Sequence, residues 1–361
     1  MKNSAGCVAG GLNRNHHSDG VVRSGGTDVS VDASGRYAAI RAAVLSKLDL
    51  TSRVVTAKTP SSSCSQMQRL RPILLFVALA CKGGVGDALT ASLAPRVPVS
   101  ECSETRPERI WCDDFEADRT GSYFEYDNAG GSFVRVAGVG INGSTGMRAR
   151  WRPGQVSAGN LHLALGKTPS SYMKPVDAGT SNYREVYWRM YVRFQDGWTG
   201  GGADKLSRAI VFATGDWAEA AISHVWSMKT YFVGLDPASG TDPFGALKTT
   251  VYNDNPNLRW LGAQAGTTPI FDADHVGKWY CVEAHMKLND FGENNGVNEL
   301  WVNDNLEAQA RSLNWLGSFN DYGINAVFFE NYWNEGSPAA QERYFDNIVV
   351  STQRIGCAAM P

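Results

Sequence analysis

The chain has 361 residues, of which 43% are hydrophobic and 11% aromatic, so the sequence can build a core and is not that of a wholly disordered protein. No run of 18 or more apolar residues occurs, which excludes a spanning helix. The net charge of −2 conceals an asymmetry: residues up to Pro98 carry 12 Lys/Arg and 5 Asp/Glu, whereas the rest carry 22 and 31. An acidic main domain argues against a nucleic-acid binder, which needs a basic face.

The N-terminal part of the chain resembles material that precedes a folded domain. Residues 1–66 are rich in Gly, Ser, Thr, Asn and Asp, a composition that predicts a mostly disordered leader. In residues 67–81, Arg69 and Arg71 precede a short apolar run and small residues. This layout is typical of a secretory signal peptide and is too short to span a membrane; the alternative is a buried hydrophobic helix. Because signal peptides lie at N-termini, we expect Met67 to be the true start and the residues before it to be misassigned upstream sequence.

Two processing routes follow from the signal-peptide interpretation. Ala78-Leu79-Ala80 fits a cleavage site with small residues at alternate positions. Leu79-Ala80-Cys81 is similar to a bacterial lipoprotein box, in which Cys81 would carry the lipid, although Ala78 stands where Leu is expected. Either route predicts a bacterial-type exported protein that is secreted, periplasmic or anchored to the outer membrane. Residues 82–107 then form a linker to a domain at 108–361.

Export implies an oxidising compartment, in which cysteines pair. The exported part contains four cysteines, Cys102, Cys112, Cys281 and Cys357, which allow three pairings. A Cys112–Cys357 bond is favoured because both residues flank the terminal strands of the domain, and Cys102–Cys281 follows by elimination. No Cys/His spacing indicates zinc.

From residue 108 onward the sequence predicts an all-β domain. Short strand-like segments alternate with turn residues, and long amphipathic helices are missing. The predicted strands are 132–139, 147–151, 161–165, 186–194, 208–213, 222–228, 249–252, 279–288, 298–302, 306–310, 324–329 and 343–352. About a dozen strands in a domain of this size favour a jelly-roll sandwich of two antiparallel sheets.

Two of these strands have an apolar face and an opposite face that is polar and aromatic, since side chains two residues apart share a face. The polar faces consist of Glu185, Tyr187, Arg189, Tyr191 and Arg193 in one strand and of Cys281, Glu283, His285 and Lys287 in the other. On the concave side of a curved sheet they would form a trough suited to sugars. The alternative is a solvated outer face with ion pairs.

Several segments resemble the concanavalin A-like jelly-roll proteins, in particular their bacterial polysaccharide-lyase-like and cellulose-associated branches. They are Cys112–Glu116 (CDDFE), Trp279–Asn289 (WYCVEAHMKLN), Gly296–Val302 (GVNELWV), Glu330–Glu335 (ENYWNE) and Arg343–Gly356 (RYFDNIVVSTQRIG). The resemblance spans roughly residues 108–357 and indicates the fold more specifically than an activity, because this fold hosts lyases, glycosidases and binding modules.

The pattern of carboxylates weakens the glycosidase interpretation. Jelly-roll endoglucanases of this fold carry Glu-x-Asp-x-(x)-Glu on one strand, and this sequence has no such motif. A catalytic pair of carboxylates is still possible, because Glu185, Glu283 and Glu330 could approach one another in the folded protein.

A polysaccharide lyase needs a group that neutralises the uronate carboxyl, a base and an acid. Arg189 is the expected neutraliser, because its planar fork matches a carboxylate, with Arg193 or Lys287 as substitutes. His285 is the expected base and His224 the second candidate. Tyr187 or Tyr191 would be the acid.

Other residues are expected to contact the substrate or to line the same trough. Trp226 shares a face with His224 and could stack on a sugar ring. Lys205 lies beside a Gly-rich segment and is interpreted as an ordinary surface lysine. The expected substrate-binding residues are Glu283, Lys287, Arg193, Trp226, Asn331 and Tyr332.

The resemblance also implies a structural calcium ion that ties the first strand to the last, and no cofactor for catalysis. Calcium prefers several hard oxygen ligands. Glu116 and Asp346 match the family's ligand positions, with Asn142 in the segment Asn142-Gly143-Ser144 as a further contributor and Asp114 as a substitute. The alternative is a solvated acidic cluster.

The sequence therefore supports several functions whose partner is a polysaccharide. The leading hypothesis is a lyase that acts by β-elimination on a uronate polymer. The alternatives are a binding-only, lectin-like domain, a hydrolase of neutral glucans, and a structural or adhesion domain without a sugar site.

Overall fold

The computed structural model describes residues 100–228 and 231–358, all of which belong to the second of two units, Thr90–Pro361. The predicted leader (1–66), the signal peptide (67–81) with the lipid site Cys81, and most of the predicted linker lie outside the described residues. No helix in the described ranges is long and apolar enough to cross a membrane.

The described residues form strands and short 3₁₀ turns, without an α-helix in these ranges. The strands are β1 (Arg109–Asp113), β2 (Glu125–Asp127), β3 (Phe133–Val136), β4 (Gly146–Trp151), β5 (Ser157–Ala164), β6 (Glu185–Phe194), β7 (Lys205–Phe212), β8 (Glu219–Ser227), β9 (Val233–Ser239), β10 (Arg259–Trp260), β11 (Gln264–Ala265), β12 (Trp279–Lys287), β13 (Gly296–Val302), β14 (Asn305–Leu313), β15 (Ala326–Tyr332) and β16 (Gln341–Ser351). The 3₁₀ turns are Glu101–Ser103, Thr120–Ser122, Ala129–Gly131, Ile141–Gly143, Ser171–Met173 and Asn255–Asn257.

These strands make two 8-stranded antiparallel sheets. Sheet A has the order β14-β13-β12-β6-β16-β4-β3, with β1 paired to β16. Sheet B has the order β10-β9-β8-β7-β15-β5-β2, with β11 paired to β9. Strands that are consecutive in the sequence are often not neighbours in a sheet, because the chain crosses repeatedly from one sheet to the other, as in a jelly roll. The predicted all-β sandwich is confirmed.

The core lies between the sheets, and the period of two in each strand decides which side chains enter it. Sheet A contributes Trp188 and Val192 from β6, and sheet B contributes Val225 and Phe329, all of them buried. Each strand of such a sandwich therefore leaves its alternate residues on an outer face. The two outer faces are where a site can form.

Eleven of the twelve predicted strands correspond to observed strands, whereas β1, β2, β9, β10 and β11 were not predicted. Residues 249–252 were expected to form a strand, but they lie in a loop, where the Thr249 hydroxyl donates to the carbonyl of Glu219. The unpredicted strand β9, which pairs with β8, contains Gly234 and Pro237. Both residue types disfavour a strand prediction from sequence.

The cysteine pairing differs from the favoured one. All four cysteines form disulfides, but the bonds are Cys102–Cys112 and Cys281–Cys357. Cys102 lies in a 3₁₀ turn that folds back on β1, and residues 354–357 pass over β12, which carries Cys281. Each bond therefore holds a terminal segment against sheet A, and residues 100–107 of the predicted linker are fixed to the domain.

A buried arginine connects the two sheets from inside the core. Arg343 on β16 is fully buried, and its guanidinium lies 5.2 Å from the ring centre of Trp151. It donates to the side-chain oxygen of Asn331 at 3.0 Å and to the carbonyls of Gly202, Lys205 and Glu330 at 3.1, 3.0 and 2.7 Å. The guanidinium of Arg343, which belongs to sheet A, therefore fixes the backbone of β7 and β15 in sheet B through these hydrogen bonds.

Replacing this side chain is expected to destabilise the fold strongly. Arg343→Leu leaves buried carbonyls and the Asn331 oxygen without donors, so we expect a loss of about 3 kcal/mol or more in the free energy of unfolding. Lys248→Leu, a control at a half-exposed cation, should cost no more than about 0.5 kcal/mol. Chemical denaturation measures both, and a loss below about 1 kcal/mol for Arg343→Leu would contradict the role of this arginine.

Candidate functional site

The outer face of sheet B carries a row of polar side chains that crosses five strands. The strand register places Glu125 of β2 opposite His162 of β5, and His162 opposite Phe328 of β15. Phe328 is opposite Arg208 of β7, and Arg208 is opposite His224 of β8. Directly opposed residues in an antiparallel pair lie on the same face. With Lys205, Tyr252 and Glu330, this row is called the B-face site.

Half of this outer face is covered by loops. A second apolar cluster, separate from the main core, includes Ile210, Phe212 and Ile222 of sheet B and Met173 and Leu258 of the loops. These loops cover the apolar part of the face, so the polar row lies beside an apolar wall, as polar groups do in ligand sites.

An ion pair lies at the centre of the B-face site. Arg208 is 1% exposed and Glu330 is 6% exposed, and the guanidinium of Arg208 lies 2.9 Å from the carboxylate of Glu330. Arg208 also donates to the hydroxyl of Tyr252 and, at 3.3 Å, to the side-chain oxygen of Asn253. Burial alone would raise the pKa of Glu330, but Arg208 and Lys205 outweigh it and lower the pKa. Glu330 is therefore ionised.

His162 is held in one tautomer by a carboxylate. Its Nδ1 lies 2.9 Å from Glu125, and since a carboxylate accepts, Nδ1 donates. The ring stacks on Phe328 with centres 3.5 Å apart. Burial lowers the pKa of His162, so the ring is neutral and Nε2 has a lone pair. Nε2 is buried and has no hydrogen-bond partner among the described residues.

His224 is also neutral and oriented. Its Nδ1 donates to the carbonyl of Asp236 at 2.9 Å. Burial lowers the pKa of His224 to about 3, and the positive charges of Arg208 and Lys205 act in the same direction. The ring lies between Trp226 and Trp260, with centre distances of 5.0 and 5.7 Å.

Lys205 and the aromatic side chains complete the site. Lys205 lies opposite both Trp226 and Tyr332 in the strand register, and its Nζ is 4.6 Å from the ring centre of Tyr332. Burial lowers the pKa of Lys205. Tyr332 is 38% exposed, so the cation and the ring mark where a ligand can enter.

The outer face of sheet A, where the sequence placed the trough, is closed at its centre by the chain termini. Arg189 is 1% exposed; it pairs with Glu101 and donates to the carbonyl of Gly356 at 2.9 Å. Glu283 accepts from the amides of Ile355 and Gly356 at 2.7 and 3.0 Å. The hydroxyl of Tyr191 likewise donates to the carbonyl of Ala358 at 3.0 Å. These polar groups are paired within the protein.

His285 on the same face is enclosed by carboxylates. Its Nδ1 lies 2.8 Å from Glu299 and its Nε2 lies 2.9 Å from Glu185. Its ring stacks on Tyr187 with centres 4.0 Å apart. Both ring nitrogens therefore have partners, unlike those of His162. Lys287 is opposite Glu185 at the end of β12.

The predicted site residues do not form one trough. Arg189, His285, Tyr187, Tyr191, Glu283, Lys287 and Arg193 lie on the outer face of sheet A, whereas His224, Trp226 and Tyr332 lie on that of sheet B. Asn331 points into the core and accepts from Arg343. The polar faces of β6 and β12 lie side by side on sheet A, but the expectation that His224, Trp226, Asn331 and Tyr332 share their trough is wrong, because these residues belong to sheet B. The catalytic roles assigned to these residues stay predictions.

Sequence reasoning missed His162, Arg208 and Tyr252. His162 and Arg208 alternate with core residues in β5 and β7, so the same alternation that singled out Arg189 applies to them. Tyr252 lies in a loop that reaches Arg208, and no local pattern could have indicated that contact.

No protein-family model and no curated protein matches this chain. Among solved structures, it is similar to an endo-β-1,4-glucuronan lyase from the fungus Trichoderma reesei, with 12% identity, 68% of this chain and 96% of that chain covered, and a TM-score of 0.46. An alginate lyase from a Chlorella virus has 16% identity, coverage of 64% and 94%, and a TM-score of 0.45. A PL-14 alginate lyase from Aplysia kurodai has 11% identity, coverage of 68% and 99%, and a TM-score of 0.45. Likenesses of this size do not establish an activity for this chain.

The predicted calcium ligands Glu116 and Asp346 approach the same loop. Asp346 accepts from the amide of Ile141 at 2.8 Å and from the hydroxyl of Ser144 at 2.9 Å. Glu116 accepts from the amide of Thr145 at 2.7 Å. Hydrogen bonds therefore tie this loop to the last strand and to the segment after the first strand.

The donor set fits calcium only in part. Calcium takes six to eight oxygen ligands. Both oxygens of Asp346 already accept hydrogen bonds, and the described residues contain no group of three or more His, Cys, Asp or Glu side chains placed to hold one metal ion. Asn142 is exposed in a left-handed turn at φ 56°, and Asp114 is used by the amide of Glu116. Calcium binding stays a prediction.

Asp346 is expected to make a pH-dependent contribution to stability. Burial raises its pKa to about 6, so the folded state binds a proton that the unfolded state has released. Stability from this group is thus largest at low pH and is lost as the pH rises from about 4 to about 6. Relative to Asp346→Asn, the wild type should gain roughly 1 kcal/mol on going from pH 7 to pH 5.

The measurement is the difference in unfolding free energy between wild type and variant at each pH. This difference is used because the titration of the histidines also changes the unfolding free energy of each protein with pH, and that contribution is common to both. Asp118→Asn is the control, since hydrogen bonds from Thr120 lower the pKa of Asp118 and keep it ionised over this range. A wild-type-minus-variant difference that stays constant or reverses would contradict the role of Asp346.

A calcium ion at this clamp would bind the ionised carboxylates and compete with protons. We therefore expect calcium to raise the melting temperature at pH 7, less so at pH 5, and not in Asp346→Asn. Thermal unfolding with calcium and with a chelator measures this. An equal melting temperature in both conditions would contradict the calcium prediction.

Proposed function

We propose that the protein is a carbohydrate-active enzyme, a polysaccharide lyase that acts by β-elimination on a uronate-containing polymer at the B-face site. The observation that carries the proposal is the neutral ring of His162, whose Nδ1–H is held by Glu125 and whose Nε2 lone pair has no partner among the described residues, near the buried Arg208 and the half-buried Lys205. These are the base and the carboxyl-neutralising groups that β-elimination requires.

Each step can be assigned to a side chain of this site. Lys205, with Arg208 behind it, neutralises the uronate carboxylate and so acidifies the neighbouring C–H. His162 Nε2 takes that proton, and the electron pair forms the new C=C bond as the glycosidic C–O bond breaks. Burial raises the pKa of Tyr252 to about 12, so its hydroxyl is protonated and can donate to the leaving oxygen. His224 hydrogen-bonds the sugar, while Trp226 and Tyr332 provide surfaces on which sugar rings stack.

A hydrolytic mechanism is less well supported by this site. Glycosidases need a carboxylic acid that stays protonated to donate to the leaving oxygen. The lowered pKa of Glu330 removes it from that role. Burial raises the pKa of Glu219, but that carboxylate is fully buried and accepts from the amide of Asn253. Neither Glu330 nor Glu219 therefore supplies that acid.

A binding-only function is the second candidate. The aromatic side chains Trp226, Trp260 and Tyr332 would hold a sugar chain without turnover. It is favoured by the burial of His162 and Arg208, which are 5% and 1% exposed, because a catalytic base must reach the substrate. Under this alternative, Trp226→Ala abolishes retention of the polymer and His162→Ala does not.

We also propose that the protein is exported. The two disulfides favour an oxidising, extracellular compartment. The signal peptide, the lipid on Cys81 and the bacterial source remain predictions from the sequence.

The proposal is tested by incubating the protein with alginate, glucuronan and heparin and following the ultraviolet absorbance of the unsaturated product. We expect absorbance with at least one polymer, and a loss of about 10²-fold or more in His162→Ala, because a positioned base contributes that much. Lys205→Met should lower kcat and kcat/KM together, because the charge that acidifies the C–H acts in the transition state.

His285→Ala is the control, because His285 belongs to the rival site on sheet A. It should retain elimination activity after correction for stability. If His285→Ala loses activity and His162→Ala retains it, the site lies on sheet A. Absence of absorbance on every polymer would reject the lyase.

A further inference from the structure

The outer face of sheet A has a second polar region, at the opposite end from His285. The strand register aligns Arg148 of β4 with Tyr344 of β16, Tyr344 with Arg193 of β6, and Arg193 with Trp279 of β12. Met147, Ala149 and Trp151 of β4 are fully buried, so Arg148 and Arg150 point outward. Arg148, Arg150, Arg152 and Arg193 are called the A-face arginine patch.

This patch is basic in an otherwise acidic domain. Residues from Val99 onward carry 22 Lys/Arg against 31 Asp/Glu. Within the patch, Glu342 contacts Arg148 and Arg150 at the longer distances of 3.8 and 3.5 Å. The side chain of Arg150 is 59% exposed, and Arg152 is also exposed. Among the residues that the structure describes, Glu342 is the carboxylate within 4 Å of these guanidinium groups, so several of them lack a close counter-charge.

The guanidinium groups retain unused hydrogen-bonding capacity. Nε of Arg148 and Nε of Arg193 have no hydrogen-bond partner among the described residues. A surface cavity of about 360 Å³ is lined by Arg148, Arg150 and Arg152 together with Gly130 and Gly131. A Cβ at either glycine would meet no atom within 4 Å, so the backbone of this turn is not crowded. The volume of the cavity is in the range of small-ligand pockets.

Aromatic rings lie beside the charges. The guanidinium of Arg193 lies 4.4 Å from the ring centre of Tyr344 and 5.2 Å from that of Trp279. Planar guanidinium forks match carboxylates in a bidentate manner, and half-buried rings offer faces to sugar rings. Arginines with adjacent aromatic rings fit a chain of carboxylated sugars better than a small inorganic anion.

We propose that the A-face arginine patch is a second, non-catalytic binding site for an acidic polysaccharide. It lies on the opposite outer face of the sandwich from the B-face site, so it holds a different stretch of polymer. The patch itself is argued from charge and geometry, and the polymer class rests on the proposed function. Such a site keeps the protein on its polymer while the B-face site acts.

The test is calorimetric titration with alginate oligosaccharides, in a His162→Ala background so that the ligand is not cleaved. We expect two binding sites per chain, and one after Arg148→Gln/Arg150→Gln, with the affinity at the patch reduced about tenfold or more. Glu342→Gln should strengthen binding, because it removes the carboxylate that contacts the arginines. Added salt should weaken binding at the patch.

Lys248→Gln is the matched control for Arg150→Gln, since each removes one exposed cation and one ion pair. It should leave binding unchanged. The proposal would be overturned if Lys248→Gln and Arg150→Gln changed binding equally. It would also be overturned by an unchanged affinity in a folded Arg148→Gln/Arg150→Gln protein, or if inorganic phosphate competed as effectively as the oligosaccharide.

The outcome is separable from that of the proposed function. If the otherwise wild-type protein performs elimination but the double variant binds as before, only the patch is rejected. If no polymer is cleaved but the double variant loses binding, the patch stands and the lyase is rejected.

Discussion

The guanidinium of Arg343, buried between the sheets, is the interaction on which the rest of the structure depends. Its donors satisfy Asn331 and the carbonyls of Gly202, Lys205 and Glu330. Burying a charge costs free energy unless the charged group is hydrogen-bonded. Because the hydrogen bonds of this arginine form only at one distance, they fix the spacing between β16 and the strands β7 and β15. The side chains of Lys205 and Glu330 point outward from the same backbone, so that one internal charge positions the B-face site from behind.

The histidines of the two outer faces differ in how their ring nitrogens are satisfied. On sheet A, Arg189 and Glu283 are paired with the terminal segments that the disulfides hold in place. On sheet B, His162 has one nitrogen held and the other without a partner. A buried polar atom without a partner costs free energy, and such atoms persist where a ligand supplies the partner. This difference, rather than residue type, separates a structural histidine such as His285 from a candidate base.

The acidic net charge of the domain does not conflict with a polyanionic partner. Charge is distributed unevenly: Arg208 and Lys205 are concentrated on one outer face, and the arginines of β4 on the other. Local fields at a surface depend on nearby charges, because salt screens those farther than about 10 Å away. A protein with its cations concentrated in this way can bind an acidic polysaccharide at these two regions, although the rest of its acidic surface repels that polysaccharide.

Alternation within segments was sufficient to predict most strands, the all-β class and the outward position of residues such as Arg189, His224 and Trp226. It failed where local signals mislead, as at Gly234 and Pro237 in β9, and where a contact is non-local, as between Tyr252 and Arg208.

The period of two is a property of the chain itself, so the sequence determined which residues leave the core and that four cysteines would pair. Which sheet each strand joins, which cysteines meet and which polar face is covered by the termini depend on contacts between distant segments. Only the tertiary structure decided them, because nothing in a strand's own residues specifies its neighbour.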